Sequence, residues 1–256
     1  MTVRVRIRLF ALQRELAGTR ELTIELDEPA TIADAWVALV ELHPVLAPGA
    51  SSVRFARNGA YAPAGEPLEA GDEVAMIPPV SGGSEAATRA GKGGRILELR
   101  GEAFPAGLVA DLAARLAAPE DGAVVTFLGI TRASPGSPAP GQEAEAARHA
   151  GRTVVALDYE ALEPLALRVF GEIADEIRDR FGVERLAIVH RTGSVPLGEA
   201  SVAIVACAAH RSAAFEAAAY AIDETKARAP IWKAERFVDG HVWLGAPARE
   251  GPRPAG

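Results

Sequence analysis

Val3, Val5, Ile7 and Leu9 alternate with Arg4, Arg6 and Arg8 at the start of the chain. A period of two sends successive side chains to opposite faces, so this segment predicts a strand with one buried side. Leu22, Ile24 and Leu26 repeat the alternation after Gly18-Thr19, and the two segments predict a hairpin. Thr31 is placed to cap a helix that presents Ile32, Trp36, Leu39 and Val40 on one face. Val53–Asn58 and Glu73–Ile77 predict two further strands, with turns at Asn58-Gly59 and Ala70-Gly71-Asp72. Two strands, a helix and then more strands predict a small α+β roll of the ubiquitin type.

The pattern then stops. Residues 81–95 carry no large apolar side chain. Such a stretch cannot bury enough surface to offset its ordering entropy, and reads as a flexible linker. Beyond it, Ile96–Arg100, Ala123–Leu128, Thr153–Tyr159, Leu186–Val189, Ser201–Ala208, Trp232–Phe237 and Val242–Leu244 read as strands. Leu108, Leu112 and Leu116 mark one helix; Phe170, Ile173, Ile177 and Phe181 mark a second after Pro164; a third runs from about Ser212 to Lys226. Gly193–Gly198 is expected to be a turn region, and Ala133–Arg152, rich in Pro, Gly, Ala and Glu, a long loop inside this second α+β domain. The expected division is 1–83, a linker over 84–95, a second domain over 96–245 and a Pro- and Gly-rich tail over 246–256.

Charge and cysteine content narrow the chemistry. The formal net charge is −7, which argues against a general nucleic-acid binder. Cys207 is the one cysteine, so neither an internal disulfide nor a multi-cysteine zinc site is available, in keeping with a reducing cytoplasm. The alternating N-terminus does not read as a signal peptide, and no apolar run approaches the ~18 residues of a membrane helix.

The first domain ends Pro78-Pro79-Val80-Ser81-Gly82-Gly83. One reading is a strand running into a glycine-rich linker. The other is a carrier arm: the prolines favour an extended chain, and two residues without a Cβ can thread a narrow slot. With the Val3–Leu9 strand and the Asn58-Gly59 turn, this ending resembles the small subunit of molybdopterin synthase. That resemblance implies a β-grasp sulfur carrier whose terminal Gly83 becomes a thiocarboxylate. A carrier of the thiamine pathway shares the double glycine.

In the second domain, His210-Arg211 stands where a strand gives way to a helix, whose N-terminus offers free N–H groups to an anion. Pro230 cannot bond the carbonyl of Lys226, so the helix should stop there and fold back, bringing Lys226 and Lys233 to one end of a sheet. Clustered cations lower a lysine's pKa and free amine for proton transfer or attack. Each cation taken singly is also compatible with an ordinary solvated surface.

Phe127–Arg132, Leu157–Glu160, His190–Gly193, Leu197–Glu199, His210-Arg211 and Lys226…Lys233 are together similar to the large, catalytic subunit of molybdopterin synthase, over about residues 95–245. The resemblance implies that Lys226 and Lys233 are catalytic and that Arg132, His210 and Arg211 bind cyclic pyranopterin monophosphate. It implies sulfur transfer from the carrier thiocarboxylate to make the molybdopterin dithiolene, with no metal or other cofactor, and a homodimer through the catalytic domain. His190-Arg191-Thr192-Gly193 is expected to be a buried turn. Gly83 is followed by Ser84 through a peptide bond, which cannot be adenylated. The sequence therefore predicts cleavage after Gly83 by a processing protease, then activation by an adenylating and sulfurating enzyme. The competing reading is a ubiquitin-like module tethered to an anion-binding domain without catalysis.

Overall fold

The computed structural model of the chain describes residues 2–50, 53–78, 94–135, 151–238 and 240–244. Gly82 and Gly83, the linker up to residue 93, the middle of the Ala133–Arg152 segment and the 246–256 tail lie outside the described residues.

The first domain runs β1 (Thr2–Leu9), α1 (Ala11–Ala17), β2 (Glu21–Asp27), α2 (Ile32–Leu42), a 3₁₀ turn over Pro44–Gly49, β3 (Arg54–Arg57), β4 (Ala60–Ala62) and β5 (Glu73–Ile77). Its sheet has the order β2-β1-β5-β3-β4, with first and last strands side by side and parallel. The alternation in β1 is realised in full: Val3, Val5, Ile7 and Leu9 are buried against Trp36 and Leu39 of α2. Thr31 and Asp34 form a reciprocal cap on α2. This is the β-grasp roll expected from the pattern.

β1 and β2 do pair antiparallel, but not as a tight hairpin, because α1 stands between them. The reason is local: Ala11-Leu12-Gln13-Arg14-Glu15-Leu16-Ala17 are good helix formers, and Gly18, at φ +69°, supplies the left-handed stop. Asn58 and Gly59 both take positive φ and make the tight β3–β4 turn, adding a strand the sequence pattern did not reveal.

The second domain runs β6 (Arg95–Arg100), α3 (Leu108–Leu116), β7 (Ala123–Ile130), β8 (Ala156–Ala161), α4 (Glu163–Phe181), β9 (Arg185–Arg191), β10 (Gly193–Pro196), β11 (Ala200–Ala208), α5 (Arg211–Arg228), β12 (Ile231–Phe237) and β13 (Gly240–Leu244). One sheet has the order β6-β9-β11-β7; a smaller one has β10-β8-β12-β13. Helices α4 and α5 cover one face of the larger sheet, and Leu108, Leu112 and Leu116 of α3 cover the other. The region read as a turn over Gly193–Gly198 contains β10, which pairs with β8. β8 itself begins at Ala156, later than the Thr153 start expected. No described helix is long and apolar enough to cross a membrane.

The two domains pack against each other. Phe10 stacks on Trp232 with ring centroids 5.1 Å apart, inside a buried cluster that joins Ala56, Ala75 and Ile77 of the first domain to Leu162 and Leu165 of the second. Arg168 of α4 donates to the Gly59 carbonyl at 2.9 Å. Two polar atoms in this cluster, Tyr61 Oη and Trp232 Nε1, are buried without a hydrogen-bond partner.

Candidate active site

The smaller sheet owes its two characters to the period-two rule. In β12 and β8, Lys233 pairs with Tyr159, Trp232 with Glu160 and Ala234 with Asp158. Lys233, Glu235 and Tyr159 therefore share one face, and Trp232, Glu160, Asp158 and Arg236 the other.

Trp232's face is where the first domain sits. Glu160 accepts the Ala11 backbone N–H at 3.0 Å and the Arg14 guanidinium at 3.0 Å, with Arg20 at 3.7 Å. That bond holds Ala11 at φ +46°, a conformation L-residues rarely take. Arg236 and Asp158 form a two-pronged pair at 2.9 and 2.8 Å. Between the domains lies a cleft of about 610 Å³ whose walls include Arg8, Arg14, Arg20, Asp158, Glu160 and Arg236.

Lys233's face is different. Burial pushes the half-buried Lys233 ammonium toward its neutral form; Glu235, itself buried, opposes this, and the cations of Lys226 and Arg132 reinforce it. Lys226 is exposed near the end of α5, which stops as Pro230 requires: Ala229 caps the helix in extended geometry. Arg228, two residues on, is buried and gripped by Glu176 at 2.7 Å and Glu172 at 3.1 Å, which anchors that helix end to α4. Arg132 follows β7, where Thr131 is clamped by backbone bonds to Glu199 and Gly198. The expected grouping of Lys226, Lys233 and Arg132 is thus present.

His210 and Arg211 are not part of that group within one chain. They begin α5 and Lys226 lies fifteen residues along it, so at 1.5 Å per residue the two ends stand ~22 Å apart. Adjacency to a helix N-terminus was legible in the sequence; which end of an 18-residue helix faces the lysines was not. His190 and Arg191 end β9 and do not form a turn. The buried His190 ring meets Tyr159 edge to face at 4.9 Å, and its pKa falls to about 4, through burial above all. Tyr159, Ser201 and Glu235 were passed over in the sequence reading. Composition held one unused signal: the chain has 27 Lys plus Arg but only three lysines, Lys92, Lys226 and Lys233, and two of them meet here.

Comparison with known proteins matches this architecture. The MoaE protein family model covers residues 105–228, and the ThiS family model covers residues 7–83. A molybdopterin synthase catalytic subunit of Bacillus subtilis is 38% identical over 126 residues, 49% of this chain and 71% of that protein. One from rice (Oryza sativa subsp. indica) is 46% identical over 122 residues, 48% of this chain; the chain spans 56% of the length of that relative. A molybdopterin synthase crystal structure from Staphylococcus aureus superposes with a TM-score of 0.48 and 28% identity, covering 61% of this chain and 99% of that one. The chain thus belongs, through its second domain, to the molybdopterin synthase catalytic-subunit family, with a ThiS-family β-grasp domain joined ahead of it.

Proposed function

We propose that the chain transfers two sulfurs to cyclic pyranopterin monophosphate, one from each of two Gly83 thiocarboxylates that leave as carboxylates, forming the molybdopterin dithiolene. The observation that carries this reading is the seating of β5. Ile77 packs in the Trp232 cluster, and Lys233, the next residue along β12, presents its side chain on the other face of the same sheet. Gly83 follows Ile77 by six residues, a reach of up to ~20 Å, so its freed carboxyl can arrive at the lysine pair. Lys226 then stands nearest that carboxyl, for proton transfer or transient acyl chemistry. Lys233 orients the substrate and stabilises developing negative charge, while Arg132 binds the anionic pterin. The step draws on side chains alone.

His210 and Arg211 join the site in this proposal through a homodimer. β7 is an edge strand whose outward side chains include Val124, Leu128 and Ile130, all exposed. A two-fold axis across this edge would bring the start of β7 in one copy to its end in the other. Gly122, bonded to Ala208 just before His210, marks that start; Arg132 lies just past the end.

Gly83 must first be released from Ser84, so the reading includes a processing protease and an adenylating, sulfurating enzyme, in a reducing cytoplasm suited to the free, buried Cys207. Intact-mass analysis of the native protein should show a fragment ending at Gly83, bearing one sulfur in place of oxygen. An active preparation containing only the uncleaved chain would overturn the carrier assignment. Mixing inactive Lys226→Ala and Arg211→Ala chains should restore about a quarter of the wild-type sites through mixed dimers; no recovery would remove His210 and Arg211 from the shared site.

A further inference from the structure

Tyr159 takes no part in the proposed chemistry, yet three strands hold it. It stands across from Lys233 in antiparallel register, which puts the two side chains on one face as neighbours. Its hydroxyl donates to Ser201 Oγ at 3.1 Å, and that oxygen donates to the Gly129 carbonyl at 3.3 Å, tying Tyr159 to β11 and β7 of the larger sheet. From β9, the His190 ring closes on it edge to face. His190 is itself fixed, since Nδ1–H donates to the Arg191 carbonyl at 2.7 Å.

We infer that Tyr159, braced by Ser201 and His190, is a positioning residue that presses an uncharged wall against Lys233 and keeps water from its amine. An ammonium needs either water or a counter-charge; this wall removes the first without supplying the second. The groups facing Lys233 are Glu235 on its own strand, Lys226 from α5, Arg132 beyond β7, Tyr159 on β8 and, behind it, His190 on β9. Glu235 alone among them favours the charged form. His190 and Tyr159 are both neutral at working pH, because burial lowers the first and raises the second. A lysine so placed offers amine at a pH where an exposed one does not. Its value for sulfur transfer rests on the functional reading above; the wall does not.

Competitive acetylation of the full chain across a pH series, read by mass spectrometry at Lys233 against free Nα-acetyl-lysine, tests this directly. The wild-type midpoint should lie below that of the standard. Tyr159→Ala should raise it by about one pH unit, leaving about tenfold less amine at a given pH. Tyr159→Phe, which keeps the ring and loses the Ser201 bond, should move it by no more than a few tenths; His190→Gln should fall between. Should Tyr159→Ala fail to fold by circular dichroism, Tyr159→Leu reads the same effect. An unmoved Lys233 midpoint in the alanine or leucine variant overturns the inference, and so does an equal shift in Tyr159→Phe. If the midpoint shifts as expected but the basic limb of dithiolene formation, where the Lys233 ammonium is lost, does not follow, the wall stands and the role given to Lys233 falls.

Discussion

Strands β8 and β12 build two unlike surfaces from one set of hydrogen bonds. On the Trp232 side the charges are matched: Glu160 answers Arg14 and Arg20, and Asp158 answers Arg236. On the Lys233 side Glu235 is buried among three cations, Lys233, Lys226 and Arg132. The matched side holds another domain; on the other side, among the described groups that act on Lys233, cations outnumber the one carboxylate. Alternation along a strand thus separates adhesion from the proposed chemistry by a single residue step, and a one-residue slip would exchange them.

The largest effect should come from the unmatched side. Lys226→Ala should lower dithiolene formation by on the order of 10²–10⁴-fold with the fold intact by circular dichroism. A mere loss of ligand affinity at full turnover would favour the anion-binding module over an enzyme. Next is His190. Its pKa is about 4 in the fold against an ordinary 6.5, so the unfolded chain takes up a proton first as pH falls. Stability should therefore be complete above pH ~6.5 and decline toward pH ~4 by ~3 kcal/mol. Urea unfolding across this range measures it, and His190→Gln should flatten that part of the profile.

Glu160→Ala tests the matched side. It strips the acceptor from Arg14 and the Ala11 N–H, and should weaken domain docking by ~2–3 kcal/mol. Faster hydrogen exchange at the Ala11 amide, with sulfur transfer slowed and recovered at low salt, is the expected outcome. Unchanged exchange would mean that the Phe10–Trp232 stack holds the domains without it. Arg236→Ala should be smallest. Half of that side chain is in solvent, and the loss of its pair with Asp158 should cost ~0–1 kcal/mol in thermal unfolding.

The sequence disclosed what depends on local periodicity. The β1 alternation, the Thr31 cap and the stop at Pro230 all act within a few residues, and each appears where it was expected. α1 was missed although its residues favour helix, because Gly18-Thr19 gave a hairpin signal and outweighed them. The β8 boundary was misplaced for a similar reason: Thr153 and Val154 fit a strand pattern, but β12 pairs only from Ala156 onward. Glu160's partners lie about 150 positions away in the other domain, so no window along the chain could pair them. The length of α5 separates His210 from Lys226 within one chain, and no local pattern in the sequence tells whether a second copy closes that gap.

Tyr61 Oη and Trp232 Nε1 give the contact between the domains a further property. While the domains touch, each is dry and unbonded; once they part, each can take up water, recovering ~1–3 kcal/mol apiece. The grip is consequently lighter than its aromatic and aliphatic area suggests. Under the proposed carrier role the first domain gains from a berth it can leave, and replacing Tyr61 by Phe would turn a temporary mooring into a more lasting one.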